Sequence, residues 1–468
     1  MARTRPETGS TLDGFVIGEL IHRGGMASLW DVRRAGDDTP LLMKIPVLQE
    51  GEDPAAIVSF EMEQMIMPRL RGPHVPRHVA NGDFAVQPYI VMEQIPGPTL
   101  VPQIGRLPLE VEMLAGLGAA IADAVQALHD QDVIHLDLKP SNIMFRASGE
   151  AVLIDYGLAH HRALPDLMQA EFRLPYGTAP YMAPEQVMGI RNDPRSDIFA
   201  LGALLHFFAT GVRPFGDPQK LKGLKQRLWR DPVPPRRLQP AIPPWFQEIV
   251  LRCLEVKASR RFPTAAQLAH ALRNSTQVRL TARAERRERD GFFTVLRRKG
   301  EPLFSLIDRP PTHLPEASDA PIVGLAVNLD DMTPELGDTL RRTALRILEG
   351  APQARLALLN VLKLNRIAMD QTLDADGNNK HVQRLVGLKD WARPMKIEEG
   401  RVTYHVLEAV EPAEAILDYA RLNNVDHIIM GARANSTMRK LLGSVSARVA
   451  AEAPCTVTVV RNRQPADR

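Results

Sequence analysis

Five polar residues of this 468-residue chain stand at spacings that could do chemistry together. His135, Asp137, Lys139 and Asn142 lie in VIHLDLKPSNIMF, and Asp155 lies in VLIDYGLAH. Two apolar runs, Ile143-Met144-Phe145 and Val152-Leu153-Ile154, predict short strands joined by a turn at Ala147-Ser148-Gly149-Glu150. Polar residues ahead of each run then project from one hairpin base into one cleft. Taken alone, an aspartate near an asparagine is an ordinary turn cap. Here H-x-D-x-K-P-x-N is followed, 18 residues after Asp137, by Asp-aromatic-Gly. Chance explains that spacing poorly. Asn142 and Asp155 offer hard oxygen ligands suited to Mg²⁺.

This stretch resembles the catalytic and metal-binding loops of bacterial eukaryotic-like (Hanks-type) Ser/Thr protein kinases. The resemblance implies a protein substrate, ATP and Mg²⁺. Phosphoryl transfer asks for positioning and charge neutralisation more than covalent chemistry. Asp137 is then expected to accept the substrate hydroxyl proton and Lys139 to neutralise the transferring phosphate, with Asn142 and Asp155 holding the metal. Leu136 replaces the family's arginine before the catalytic aspartate, the residue that pairs with an activation-loop phosphate. Residues 158–177 also contain no serine or threonine. Receptor and phosphate site are lost together, which implies a non-RD kinase whose loop orders without phosphorylation there. Thr178, in GTAPYMAPE, matches the residue that lines the substrate pocket and contacts Asp137.

The elements that must position these groups follow. Residues 14–47 read as paired strands around Gly24-Gly25, which taken alone are a hairpin turn. By resemblance they belong to a glycine-rich loop over ATP phosphates, with His22 and Ala27 standing at two of the family's glycine positions. Lys44, in the strand LLMKIP, matches the ATP-anchoring lysine and needs an acidic partner, because an unpaired buried ammonium is costly. In the helical pattern AAIVSFEMEQMIMPRL, Glu63 takes the place of that partner and Glu61 is the fallback. Leu42 replaces an alanine over the adenine ring. PYIVMEQIPGPTL resembles the strand into the hinge, with Met92 as gatekeeper and Glu93 to Ile95 against adenine. Further on, a helix with a core face at Leu114, Leu117, Ile121, Val125 and Leu128 delivers the chain to the hairpin. Asp197 matches the aspartate that braces the catalytic loop from below, and Arg261 the arginine that pairs with Glu185. Thr264 to Gln267 reads as a capping box.

Kinase resemblance spans residues 12–275, with an N-lobe over 12–95 and a C-lobe over 96–275. Residues 276–319 read as a solvated linker, first basic and then proline-rich. From residue 320 to 462, five apolar strands alternate with helices, which predicts a doubly wound parallel α/β sheet. After the fourth strand, Gly431-Ala-Arg-Ala and then Gly443-Ser444 open a helix. This resembles the phosphate loop of the universal stress protein family. It implies a second adenine nucleotide held by Gly431, Gly443 and Ser444, or a dimerising domain with an empty pocket. The family resemblance also implies a homodimer through the last strand, Cys455 to Val460. The fold class expected is therefore a bilobal α+β kinase fold followed by a five-stranded universal-stress-protein-like domain.

Bulk properties bound the rest. A net charge of +3 does not argue for nucleic acid or a membrane surface as partner. No run reads as a spanning helix, and the N-terminus lacks an apolar signal core. Two distant cysteines, Cys253 and Cys455, suggest neither a disulfide framework nor a zinc site. These features read as cytoplasmic. Two functional readings stay open: an active Ser/Thr kinase, and a pseudokinase scaffold acting through its C-terminal domain, to which His22, Ala27 and Leu42 point.

Overall fold

The computed structural model describes residues 7–461 apart from 25, 48–53, 84–85, 165, 172–174, 301–320, 364–379, 398–400 and 433–443. Six N-terminal strands, β1 (Thr11–Leu12), β2 (Phe15–Arg23), β3 (Ala27–Arg34), β4 (Asp37–Pro46), β5 (His78–Asn81) and β6 (Ile90–Glu93), form one sheet in the order β1-β2-β3-β4-β6-β5. Apolar residues alternate along them, so one face is dry. Phe15, Ile17, Trp30, Val32, Leu41, Met43 and Ile45 share that face, joined from β6 by Val91. Ile90 and Met92 point the other way, into the core that helix α1 (Pro54–Ile66) shares with the C-lobe. Leu29 of β3 pairs with Lys44 of β4, and Lys44 in turn with Ile90 of β6.

The C-lobe is built on α2 (Val111–His129), which packs against helices Arg195–Thr210 and Ala265–Arg273. Leu114, Ile121, Val125 and Leu128 form its buried stripe as the periodicity predicts, while Leu117 is only partly buried. By length and composition alone α2 could cross a membrane, which the sequence reading did not anticipate. It is the central helix of a packed lobe, and half of its most apolar stretch is buried in protein. Helix Arg195–Thr210 ends on Gly211 at φ 73°, a left-handed position suited to glycine. Thr264 Oγ1 accepts a bond from the Gln267 amide at 3.2 Å, the expected N-cap.

Two small antiparallel strand pairs frame the cleft. β7 (Val133–Ile134) pairs with β10 (His160–His161), and β8 (Ile143–Phe145) pairs with β9 (Ala151–Leu153). The second is the hairpin expected from the apolar runs. Ile154 is not paired in it; its amide bonds back to the Asn142 carbonyl at 3.0 Å.

After the C-lobe the chain departs from a solvated linker. Arg283 bonds Glu248 and Glu255, and Arg286 and Arg298 converge on Asp231 and Asp290, all at 2.6–3.3 Å. The basic residues thus pin residues 281–298 to the acidic underside of the C-lobe. Five parallel strands follow: β11 (Ile322–Ala326), β12 (Arg355–Lys363), β13 (Val402–Ala409), β14 (His427–Gly431) and β15 (Thr456–Val460). Their order is β13-β12-β11-β14-β15. Alternate side chains of β12 enter opposite cores, Leu356 and Leu358 on one face and Ala357 and Leu359 on the other. The sheet is doubly wound.

Candidate active site

Lys44 sits where β4 faces α1. Its Nζ donates to Glu63 Oε2 at 2.5 Å and to Asp155 Oδ1 at 3.0 Å. Glu63 is 2% exposed, whereas the Asp155 side chain is 43% exposed and opens to the cleft. Burial alone would lower the Lys44 pKa, but the charges of Asp155 and Glu63 more than reverse it. Lys44 in turn pulls the Asp155 carboxyl down to about 2. Burial raises Glu63, and Lys44 holds that rise back.

Gly157 permits this geometry. A Cβ there would lie 2.0 Å from Ser59 Oγ and 3.0 Å from the Ser59 carbonyl oxygen. Without it, α1 closes onto the Asp-Tyr-Gly turn and carries Glu63 to Lys44. Asp155 itself adopts φ 69°, a left-handed position that costs a non-glycine residue roughly 1–2 kcal/mol. Tyr156, fully buried below it, bonds the Leu153 carbonyl at 2.6 Å and lies against His135 with ring centroids 5.6 Å apart.

Asp137 is the most densely held carboxylate of the cleft. Lys139 Nζ donates to its Oδ2 at 2.6 Å. The Thr178 amide and hydroxyl donate to Oδ1 at 2.8 and 2.7 Å, the contact anticipated from GTAPYMAPE. Asn142 Nδ2 donates to the Asp137 carbonyl at 3.0 Å and to Oδ2 at 3.3 Å. Asn142 thereby spends its N–H groups on Asp137 and keeps a hard oxygen, Oδ1, which Ser141 meets at 3.3 Å. With the half-exposed Asp155 carboxylate, that donor set suits a Mg²⁺ ion completed by phosphate and water oxygens.

The loop is fixed from beneath. Asp197, fully buried, accepts from the His135 and Leu136 amides at 2.8 Å each and bonds His129 Nε2 at 2.9 Å. Leu136 adopts φ 62°, and Gln186 Nε2 donates to its carbonyl at 2.8 Å. Both backbone groups of this strained residue are therefore held. Its apolar side chain is buried. Arg261 clasps Glu185 at 2.6 and 2.8 Å, and Ser196 also donates to Glu185.

These arrangements belong together in one known fold, and comparison bears that out. The protein kinase domain family matches residues 15–272. The chain belongs to the protein kinase family. The universal stress protein family matches residues 330–461, so the two resemblances read from the sequence are fused in one chain. Serine/threonine-protein kinase PknB of Mycolicibacterium smegmatis is 31% identical over 272 residues, 55% of this chain and 42% of that protein. A probable PknB of Lactococcus lactis is 30% identical over 57% of this chain and 42% of that protein. Pkn1 of Myxococcus xanthus is 28% identical over 63% and 42%. The chain thus spans less than half the length of these curated relatives. A crystal structure of the Mycobacterium tuberculosis PknI kinase domain superposes with a TM-score of 0.46 at 20% identity, covering 58% of this chain and all of that one.

The remaining expected residues are placed as follows. Gly24 lies at the β2–β3 turn, its amide bonding the Ala27 carbonyl at 2.9 Å. Gly25 lies outside the described residues. Met92 and Ile95 are buried, and Glu93 is bound by both Arg146 guanidinium nitrogens at 2.5 and 3.0 Å. Gly431 ends β14 beside Leu336. Gly443 lies outside the described residues, and of Ser444 only the backbone, at the start of helix Ser444–Glu452, is described.

Two features were missed by sequence reasoning. Asp166, in the activation segment, is buried against Arg191 Nε at 2.6 Å and His160 Nδ1 at 3.3 Å. Although burial opposes its charge, Arg191 and His160 hold its carboxyl far below the usual range. Arg191 also bonds the Leu158 carbonyl at 2.8 Å. Farther along, the buried Arg227 donates to the carbonyls of Met182 and Ala179, pinning the segment that carries Thr178. An acid among hydroxyl-free residues was the only available sign.

Proposed function

We propose that the chain is a Ser/Thr protein kinase that transfers the γ-phosphoryl group of ATP to protein hydroxyls. One observation carries this reading: Lys44 joins Glu63 and Asp155 while Asp137 is held between Lys139, Asn142 and Thr178. In this reading Lys44 anchors ATP phosphates, Met92 and the Glu93–Ile95 backbone bound the adenine side, and Gly24 and Gly25 cover the phosphates. Asn142 and Asp155 would hold Mg²⁺, which would supply neutralisation of phosphate charge. Asp137 orients the substrate hydroxyl and takes up its proton; Lys139 faces the transferring group. The test is autophosphorylation with Mg²⁺-ATP beside Asp137→Ala. Equal background incorporation by both proteins would leave the pseudokinase reading, favoured by His22, Ala27 and Leu42, in its place.

The same reading makes the kinase independent of activation-loop phosphorylation. Asp166 on Arg191 and His160 supplies a fixed anion where a phosphate would otherwise order the segment, and Arg227 clamps its far end. A stoichiometric phosphosite between residues 158 and 177 that activity requires would overturn it. For the C-terminal domain we propose self-association through β15, which among the described residues is an edge strand of its sheet. Nucleotide binding at Gly431, Gly443 and Ser444 stays a proposal tested by identifying any nucleotide that co-purifies with the full chain. Two unpaired cysteines are in keeping with a reducing, cytoplasmic setting.

A further inference from the structure

Two glutamates two residues apart on α1 are both buried, Glu63 at 2% and Glu61 at 7% exposure. On a helix, positions i and i+2 point roughly 200° apart, so they cannot face the same cleft. Glu63 faces Lys44. Glu61 faces outward, toward the side of α1 that the C-terminal domain covers. Burial raises the Glu61 carboxyl, and Lys389 and His381, both on helix Lys380–Ala392, act against that rise. Tyr404 of β13 lies in the same cluster: Lys389 Nζ sits 5.5 Å above its ring, and Glu61 and Asp83 are the charges that act on its hydroxyl. His381 Nδ1 is 3.1 Å from Glu408 Oε1.

A second contact runs beside the first. The short activation-segment helix α3 (Leu167–Glu171) packs on α1 and also on β13 and helix Pro412–Leu422 of the C-terminal sheet. Leu167 and Met168 are buried there. One apolar core is continuous from α1 and α3 into the face of the sheet that carries Leu356 and Leu358, and into Leu385 of helix Lys380–Ala392. The domain therefore rests on α3 and, through it and the shared core, on α1, and it does so with the Lys44–Glu63 pair formed.

We propose that the universal-stress-protein-like domain docks in cis on the outer face of α1 and on α3, through Glu61 against Lys389 and His381, and thereby holds α1 where Glu63 meets Lys44. This rests on the kinase reading for its effect on activity, but not for the docking itself. It makes the C-terminal domain an activating brace. Anything that moves helix Lys380–Ala392 or β13, such as a ligand or a second copy, would reach the cleft through α1.

A charge-swap in the full-length protein tests it, read by amide hydrogen exchange of residues 54–66 and 402–422 and by phosphotransfer rate. Glu61→Lys is expected to speed exchange of both segments at least tenfold and to slow phosphotransfer about tenfold. Adding Lys389→Glu to it is expected to restore both readouts. Lys389→Glu alone repeats the loss and carries the test if Glu61→Lys does not fold, as judged by circular dichroism. Unchanged exchange in the single variants, or loss that the double variant does not repair, overturns the docking. Failure of the kinase reading shows separately, as wild-type incorporation no greater than that of Asp137→Ala while exchange still responds to the swap.

Discussion

Two of the buried ion-pair systems in the kinase region differ in what surrounds them. Arg261 and Glu185 are fully enclosed, and every visible group about them is a partner: Ser196, two carbonyls near Glu255, and the Arg195 carbonyl. Lys44, Glu63 and Asp155 are buried at one end and open at the other, because Asp155 is 43% exposed. A closed pair can only hold the fold. An open one has spare valence directed at solvent, and that asymmetry marks the cleft as the place where a ligand completes the electrostatics.

The sharpest way to break the comparison is to remove one cation from each. Arg261→Ala leaves Glu185 enclosed without a counter-charge and is expected to destabilise the protein by about 3–5 kcal/mol. Thermal unfolding measures it, and a loss below 1 kcal/mol would mean the closed pair is not structural. Lys44→Met should do the reverse: its stability cost is smaller, because Glu63 already has a raised pKa and can neutralise by taking a proton. Its phosphotransfer should fall roughly 10²–10³-fold, as when a preorganised charge is deleted from a site. Retained activity would remove Lys44 from the machinery.

A smaller effect probes the activation segment, which shares features of both systems. Asp166→Asn keeps the shape and removes the charge that Arg191 and His160 meet. Peptide phosphorylation should drop about tenfold in kcat/KM, near 1.4 kcal/mol, with kcat at saturating ATP changing less. Full activity would show that the segment is ordered by Arg227 and the α3 contacts alone.

Legibility in the sequence followed the distance over which each interaction acts. Asp137, Lys139, Asn142 and Asp155 were readable because one hairpin carries them, and β8 and β9 set their spacing almost by themselves. Glu63 was readable from helix register, and the alternation of strands and helices after residue 320 was enough for a doubly wound sheet. Asp166 on Arg191, Arg227 on the Met182 carbonyl, and Glu61 near Lys389 were not. Each joins residues from different elements with no local pattern, and only packing chooses the partner. The linker failed for a related reason. A run of arginines looks like a solvated face until acidic residues elsewhere, here Glu248, Glu255 and Asp231, are folded beneath it.

The mildest prediction asks whether kinase and C-terminal domains respond alike to acid. Each contains a histidine kept neutral by burial, His161 lowered to about 4 and His405 to about 3. His161 Nδ1 accepts the Ala163 amide at 3.0 Å, and His405 Nε2 meets Thr403 and Tyr419 hydroxyls at 2.9 and 3.1 Å. Folded pKa values lie below the ordinary 6.5, so the unfolded chain binds more protons between that value and the folded one. Stability is then fully present above pH 6.5 and is lost as pH falls toward 4 and 3. Between pH 6.5 and 5 each histidine should cost at most about 1.4 kcal/mol per pH unit. Melting of the full chain at pH 7, 6 and 5 checks it, and His405→Gln should flatten the slope by its share. An unchanged slope in that variant would mean the His405 pocket admits water and carries no penalty for charge.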